Sequence, residues 1–274
     1  MDIKLIALDL DGTFLDDRKN IPPENLRALA YAAERGVLIV PATGRICAGI
    51  PDALRSLPFL RYYITVNGAY VYDAAEDKTL HRAEIPAETA LRITDYADEQ
   101  SVIYDCYKDN WGYMTRSMYD VAEEYVTNPG TLKMVKNLRT PVESLPELLR
   151  RTGEPVQKIQ LYLKDPQRKA ALMADLSRRF PETAVTSALP FSIEINTRSA
   201  DKGQALTVLC DRLGLPMEEV MAFGDETNDI TMLRAAGLGV AMANAPEEVR
   251  RLADHVTGSN NDAGVARAIR SFIV

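Results

Sequence analysis

Leu5-Ile6-Ala7-Leu8-Asp9-Leu10-Asp11-Gly12-Thr13 decides how the rest of the chain is read. The apolar run Leu5 to Leu8 has the pattern of a strand buried on both faces, as in a parallel sheet covered by helices. Two carboxylates stand at its carboxyl end, followed by a glycine that permits a tight turn. The same grammar recurs near the other end of the chain. Val220 to Phe223 is a short apolar run, and Gly224-Asp225-Glu226-Thr227-Asn228-Asp229 follows it. Carboxylates gathered at the ends of parallel strands suit a hard divalent cation, Mg²⁺ in particular.

Outward from these two stretches, strands and helices alternate. Pro22 and Pro23 precede a helical stretch with Leu26, Leu29, Ala30 and Ala33 at helical spacing, and Gly36 is its stop. Val37 to Val40 reads as the second strand, closed by the polar turn Thr43-Gly44-Arg45. Tyr63 to Val66 reads as a third, ending at Asn67-Gly68. This order predicts a mostly parallel sheet with right-handed crossovers. The pattern resumes after Asp201-Lys202-Gly203, with a helix, the Val220 strand, a short helix over 230–236, a strand over 239–242 and a terminal helix over 264–272.

The texture between these halves differs. Val102 to Tyr107 and Trp111 to Thr115 read as paired strands across Lys108-Asp109-Asn110. Leu132 to Val135 and Lys158 to Leu163 are further strand candidates, the latter alternating in a way that predicts one wet face. Pro166 to Phe180 reads as an amphipathic helix. The fold class expected is therefore α/β: a parallel-sheet core over residues 1–82 and 196–274, with an inserted α+β domain over 83–195.

Composition narrows the function classes. A formal charge of −7 over 274 residues argues against a broad nucleic-acid surface. Cys47, Cys106 and Cys210 are widely spaced, form no CxxC pair and read as reduced cysteines of a cytosolic protein. No secretory leader pattern opens the chain and no apolar run approaches membrane-spanning length. The expectation is a cytoplasmic protein with no membrane or nucleic-acid partner; self-association is left open.

The loops carry the chemistry. Asp9 ends a strand and can attack phosphorus to form an aspartyl-phosphate. Asp11, two residues on, can handle protons in the same space. Thr13 can hydrogen-bond a phosphate or the attacking carboxylate. Asp225 directly follows its strand and is the better metal ligand, with Asp229 supporting it and Asn228 holding a ligand or phosphate. Helix capping by Asp225 or Thr227 would explain one of these residues but not the cluster. Thr43, Gly44 and Arg45 offer a hydroxyl, backbone amides and a cation to a phosphate. Lys202 gains nothing from the dipole at its helix start and is expected to pair with Asp9 and a phosphate oxygen. His81 and His255 have no zinc spacing.

Taken in order, Asp9-Leu10-Asp11-Gly12-Thr13, Ala42-Thr43-Gly44-Arg45, Lys202-Gly203 and Gly224 to Asp229 closely resemble the motifs of the haloacid dehalogenase-like hydrolases. The nearest match is the Cof-type sugar-phosphate phosphatases, whose substrate-side loop Asn67-Gly68-Ala69 also resembles. The resemblance spans essentially the whole chain. It implies a Rossmann-like core and a cap inserted between the second and third motifs. It further implies Asp9 as nucleophile, Asp11 as acid and then base, and Thr43 and Lys202 on the phosphoryl group. Mg²⁺ would be held by the Asp9 side chain, the Asp11 backbone carbonyl and the Asp225 side chain, with Asp229 behind them. Asp201 stands where serine is more usual. The implied substrate is a small phosphorylated metabolite, sugar phosphates leading. Two rival readings are a phosphomutase, which product analysis separates, and a noncatalytic metabolite-binding regulator, which would bind tightly without turnover.

Overall fold

The structure is a computed structural model, and it describes residues 2–187 and 189–273. Its contacts divide the chain into two compact units: Met1–Arg82 together with Asp201–Val274, and Ala83–Ala200. The strands in chain order are β1 (Leu5–Leu8), β2 (Leu38–Pro41), β3 (Tyr62–Thr65), β4 (Tyr70–Asp73), β5 (Lys78–Arg82), β6 (Ile103–Lys108), β7 (Trp111–Thr115), β8 (Arg139–Val142), β9 (Lys158–Tyr162), β10 (Thr183–Thr186), β11 (Ser192–Thr197), β12 (Val220–Gly224), β13 (Leu238–Ala241) and β14 (His255–Val256). The α/β class read from the sequence is the class observed.

The first unit is built on a five-stranded, all-parallel sheet in the order β14-β13-β12-β1-β2. Side chains alternate across it. Ile6, Leu8, Met221, Phe223 and Val240 join one core with Leu29 and Ile269, from the helices Pro23–Glu34 and Gly264–Phe272. Leu5, Ala7, Val220, Ala222 and Ala241 join the other with Leu206, Leu209 and Met232, from the helices Lys202–Leu213 and Ile230–Ala235. Both faces are dry, which is why these strands read as unbroken apolar runs. The register matters for function: Leu8 lies level with Pro41 on one side and Phe223 on the other. The loops after β1, β2 and β12 therefore leave the sheet at one end.

The third strand departs from expectation. β3 belongs to an antiparallel sheet β3-β4-β5, and isolated parallel bridges, Ala42 to Ile64 within it and Ile39 to Leu60 just before it, join this segment to the parallel sheet. The turn between β3 and β4 is Val66-Asn67-Gly68, with φ of 53°, 58° and 91°. A β-branched valine in that left-handed region is strained.

The second unit holds a six-stranded mixed sheet, β10-β11-β9-β6-β7-β8. β6 and β7 form the expected hairpin, turned by Asp109 and Asn110 at φ of 50° and 57°. Two expectations fail here. Leu132 to Val135 is not a strand but part of the helix Pro129–Leu138, started by Asn128, whose side chain accepts from Thr131 N–H, and by a proline in the first turn. The polar face of β9 is not wet. Lys158 and Gln160 are buried, Lys158 lying 3.2 Å from Glu194 and over the Tyr107 ring. Beside them Arg139 binds Asp105 at 2.6 Å, and Tyr162 donates to the same carboxylate at 2.7 Å. The expected helix over 166–180 is a single 3₁₀ turn, Pro166–Arg168, followed by the helix Lys169–Arg179.

Candidate active site

The site grows from the shared end of β1, β2 and β12. Asp9 N–H still donates to Phe223 carbonyl at 3.1 Å, and Ala42 N–H to Leu8 carbonyl at 2.8 Å, so the sheet ladder runs to the edge of the loops. Lys202 begins its helix directly after the N-cap Asp201, whose carboxylate accepts from Gln204 N–H at 2.8 Å. The aspartate that stands in place of the usual serine is thus a helix cap. Lys202 is only 1% exposed, and its Nζ donates to Asp9 Oδ1 at 2.7 Å and to Asp229 Oδ1 at 2.6 Å.

Asp9, Asp225 and Asp229 are all buried, and each offers an oxygen within 4.8 Å of the others. Asp229 is saturated: beyond Lys202, its Oδ2 accepts from the backbone N–H groups of Asp225 at 2.9 Å and Glu226 at 3.0 Å. Asp225 Oδ1 accepts from the buried Thr13 hydroxyl at 2.6 Å. Thr13 therefore braces Asp225. Burial and the neighbouring Asp229 and Glu226 charges push Asp225 up to about 7 against that hydrogen bond, and burial drives Asp9 well above the usual carboxylate range despite Lys202. Burial works against the Lys202 cation, but the Asp229 and Asp9 charges outweigh it and raise its pKa. Three buried carboxylates around one ammonium leave a surplus of negative charge, and hard oxygen donors around such a surplus fit a magnesium ion.

Asp11 stands apart from this group. Its carboxylate is gripped by the Arg45 guanidinium, Nε to Oδ2 at 2.6 Å and Nη2 to Oδ1 at 2.7 Å, and by Lys19 Nζ at 2.8 Å. Partial burial favours the neutral acid, but the Arg45 hydrogen bonds and both cations outweigh it and hold Asp11 down at about 2. Arg45 is fixed in turn by donating from Nη1 to Gly49 carbonyl at 2.7 Å.

The remaining expected residues cluster on the adjacent loops. Thr43 is buried, and its hydroxyl accepts from Arg45 N–H at 3.2 Å. Asn67 N–H donates to Thr43 carbonyl at 3.0 Å, and Asn67 Oδ1 accepts from Asn228 Nδ2 at 3.1 Å. A Cβ on Gly44 would come within 2.8 Å of Asn67 Oδ1, so this glycine permits the approach of the two loops. Asp9, Asp225, Asp229, Lys202 and Thr13 are thus brought into one bonded group. Thr43, Gly44, Asn67 and Asn228 form a second, and Asp11 with Arg45 a third. Sequence reading missed Lys19, whose left-handed φ of 64° places it over Asp11, and Asn244, whose amide bonds Gly12 carbonyl at 2.8 Å. Lys19 lies in a loop far from any strand end, and Asn244, though it follows β13, is an amide with no charge to mark it. His81 lies on β5 and His255 packs on Phe272, away from these groups.

Acidic loops gathered around a buried lysine at one end of a parallel sheet make this an α/β protein whose site suits phosphoryl chemistry. A family profile described as haloacid dehalogenase-like hydrolase matches residues 6–269, and the chain belongs to that family, in its Cof-type branch. It is 33% identical to the 5-amino-6-(5-phospho-D-ribitylamino)uracil phosphatase YcsE of Bacillus subtilis, over 100% of this chain and 97% of that protein. It is 29% identical to the pyridoxal phosphate phosphatase YbhA of Escherichia coli, each covered in full. Among solved structures, a haloacid dehalogenase-like hydrolase from Bacteroides thetaiotaomicron superposes with a TM-score of 0.85 at 28% identity, covering 99% of this chain and 100% of that one. Among the described residues, no helix is long and apolar enough to cross a membrane.

Proposed function

We propose that this Cof-type phosphatase hydrolyses phosphomonoesters of small metabolites, using Mg²⁺ and an aspartyl-phosphate on Asp9. The observation that carries the reading is the buried group of Asp9, Lys202, Asp229 and Asp225, which unites a nucleophile, a fixed cation and oxygen donors at one strand end. Asp9 and Asp225 would hold the metal, together with the Asp11 carbonyl. Asp229, both of whose oxygens are already engaged, orients Lys202 and the Asp225 backbone. When bound, the ion neutralises phosphate charge and stabilises the charge that develops in transfer.

The chain's own residues divide the reaction. An Asp9 oxygen attacks phosphorus as the ester P–O bond breaks, while Asp11 gives its proton to the departing alcohol oxygen. Asp11 then takes a proton from the water that attacks the phosphorus of the aspartyl-phosphate, freeing Asp9 and inorganic phosphate. Lys202 keeps Asp9 oriented, and Thr43 and its neighbouring amides receive phosphate oxygens. Asp11 is ionised between Arg45 and Lys19, so it must leave both cations and take a proton from solvent before acting as an acid. A phosphate dianion competing for Arg45 loosens Asp11, leaving only the exposed Lys19 to hold the carboxylate. The inserted unit Ala83–Ala200 is assigned the choice of leaving group, since none of the reacting groups falls inside it.

Sugar phosphates and sugar-alcohol phosphates are the leading substrates and phosphorylated cofactors the next; the compounds named for two relatives, 5-amino-6-(5-phospho-D-ribitylamino)uracil for the first class and pyridoxal phosphate for the second, are the first to try. The test is phosphate release over such a panel, with EDTA and after Mg²⁺ is restored. Magnesium-restored turnover of at least one ester is expected. No turnover across the panel under either condition would overturn the reading.

A further inference from the structure

The loop that follows the nucleophile, Gly12 to Asp17, is tied down by a row of asparagines from distant parts of the same unit. Asn25, fully buried in the helix Pro23–Glu34, donates to Phe14 carbonyl at 3.1 Å and accepts from Ala266 N–H at 3.1 Å. Asn260, 1% exposed, donates to Leu15 carbonyl at 3.1 Å and to Asp17 Oδ1 at 3.0 Å. Asn261 exchanges two hydrogen bonds with Asp17, at 2.9 and 3.1 Å. At the head of the row stands Asn244, in the turn after β13. Its Nδ2 donates to Gly12 carbonyl at 2.8 Å, and its Oδ1 accepts from Asn260 N–H at 3.0 Å.

The Gly12 peptide is a special place to hold. Gly12 has φ of +85°, and a Cβ there would lie 2.2 Å from Asp225 Oδ2. The backbone is therefore pressed against the carboxylate itself. The next residue, Thr13, donates its hydroxyl to the other oxygen of that carboxylate at 2.6 Å. Asp225 is thus bounded on one side by Gly12 and bonded by Thr13, and both depend on where the Gly12–Thr13 peptide sits. Asn244 fixes that peptide by its carbonyl. Its own side chain is exposed, so its part is not to fill the core.

We propose that Asn244 is a positioning residue for Asp225: by anchoring the Gly12 carbonyl it sets the carboxylate for the divalent cation. The inference rests on the reading of Asp225 as a metal ligand. Groups that orient a ligand without touching the metal typically change affinity by about 10–100-fold when removed. Asn244 acts at two removes, through Gly12–Thr13, so the effect falls at the low end of that range.

Calorimetric titration of metal-free protein with Mg²⁺ tests this, alongside thermal unfolding in EDTA. Asn244→Ala should weaken Mg²⁺ binding by about tenfold. Asn244→Leu, of similar volume and without added charge, removes the donor to Gly12 and should weaken it as well. Both should unfold within a few degrees of wild type. Asn261→Ala, which loosens Asp17 at the far end of the row, should bind Mg²⁺ as wild type does. Wild-type uptake with unchanged affinity in Asn244→Ala overturns the proposal alone. Equal weakening in Asn261→Ala also overturns it, by making the effect general loop ordering. A wild-type protein that takes up no Mg²⁺ removes the metal assignment of Asp225 and the proposal with it.

Discussion

Replacing Lys202 with methionine tests whether a single buried ammonium holds the site together. Lys202 is 1% exposed and lies 2.7 Å from Asp9 and 2.6 Å from Asp229. At an effective dielectric of about 20, each such contact is worth roughly 6 kcal/mol of attraction, set against the desolvation of three ions. Methionine fills nearly the same volume, so little of the loss comes from a cavity. What remains is two buried carboxylates without their cation, and removing one partner of a buried pair costs about 3–5 kcal/mol. That loss is expected in urea unfolding with EDTA present. Added Mg²⁺ should return part of it, about 2.7 kcal/mol at a hundred times its dissociation constant. Lys4→Met, which breaks an exposed pair with Asp2, should leave the midpoint where it is. A Lys202→Met protein as stable in EDTA as wild type would refute the argument, because the two carboxylates would then have to be solvated or protonated without cost.

Asp9→Asn should form no acid-stable phosphoenzyme in rapid-quench trapping, whereas Asp11→Asn should form it and release it slowly. Robust trapping on the Asp9→Asn protein would reassign the nucleophile. Gly12→Ala should fold poorly or lose activity by at least tenfold, since its methyl would sit 2.2 Å from Asp225 Oδ2 in a left-handed backbone; wild-type kcat/KM would show that the loop yields more easily than the geometry allows. In the inserted unit, Arg139→Met should cost about 3–5 kcal/mol by stranding buried Asp105, and pairing it with Asp105→Leu should recover most of that loss. Additive losses in the double-mutant cycle would show that the two charges are not coupled.

The parallel sheet was legible because its strands are buried on both faces. Leu5 to Leu8 and Val220 to Phe223 have no polar interruption to confuse their reading, and their ends are marked by aspartates. Where a segment is short and apolar, strand and helix cannot be told apart by content alone. Leu132 to Val135 is such a segment; the deciding signal was outside it, in Asn128-Pro129. The alternation in β9 correctly separated an apolar from a polar face but could not say what covers the polar one. Lys158 is buried because Glu194, far along the chain, lies beside it on β11, a pairing that exists only once the sheet is formed. β3 was read to within a residue, and Asn67-Gly68 marked its end, but its antiparallel pairing with β4 was not read, because the left-handed turn opens at Val66, which valine does not advertise.

The site shows the same division between what strand ends fix and what loops arrange. Asp9, Asp225 and Lys202 were legible because each sits at the terminus of an element whose position the sheet dictates. Arg45 was expected on a phosphate, and it stands instead in a fork around Asp11. Both assignments use the same chemistry, since a guanidinium binds carboxylate and phosphate through the same pair of N–H groups. Sequence identifies the donor but not which anion holds it at a given moment. In the proposed mechanism the two anions compete for that fork, so binding of phosphate to Arg45 favours release of Asp11, which then has only Lys19 to hold it. Under the proposed mechanism, the acid is freed only where there is a phosphoryl group for it to act on, and water in an empty site meets an Asp11 that is held and ionised.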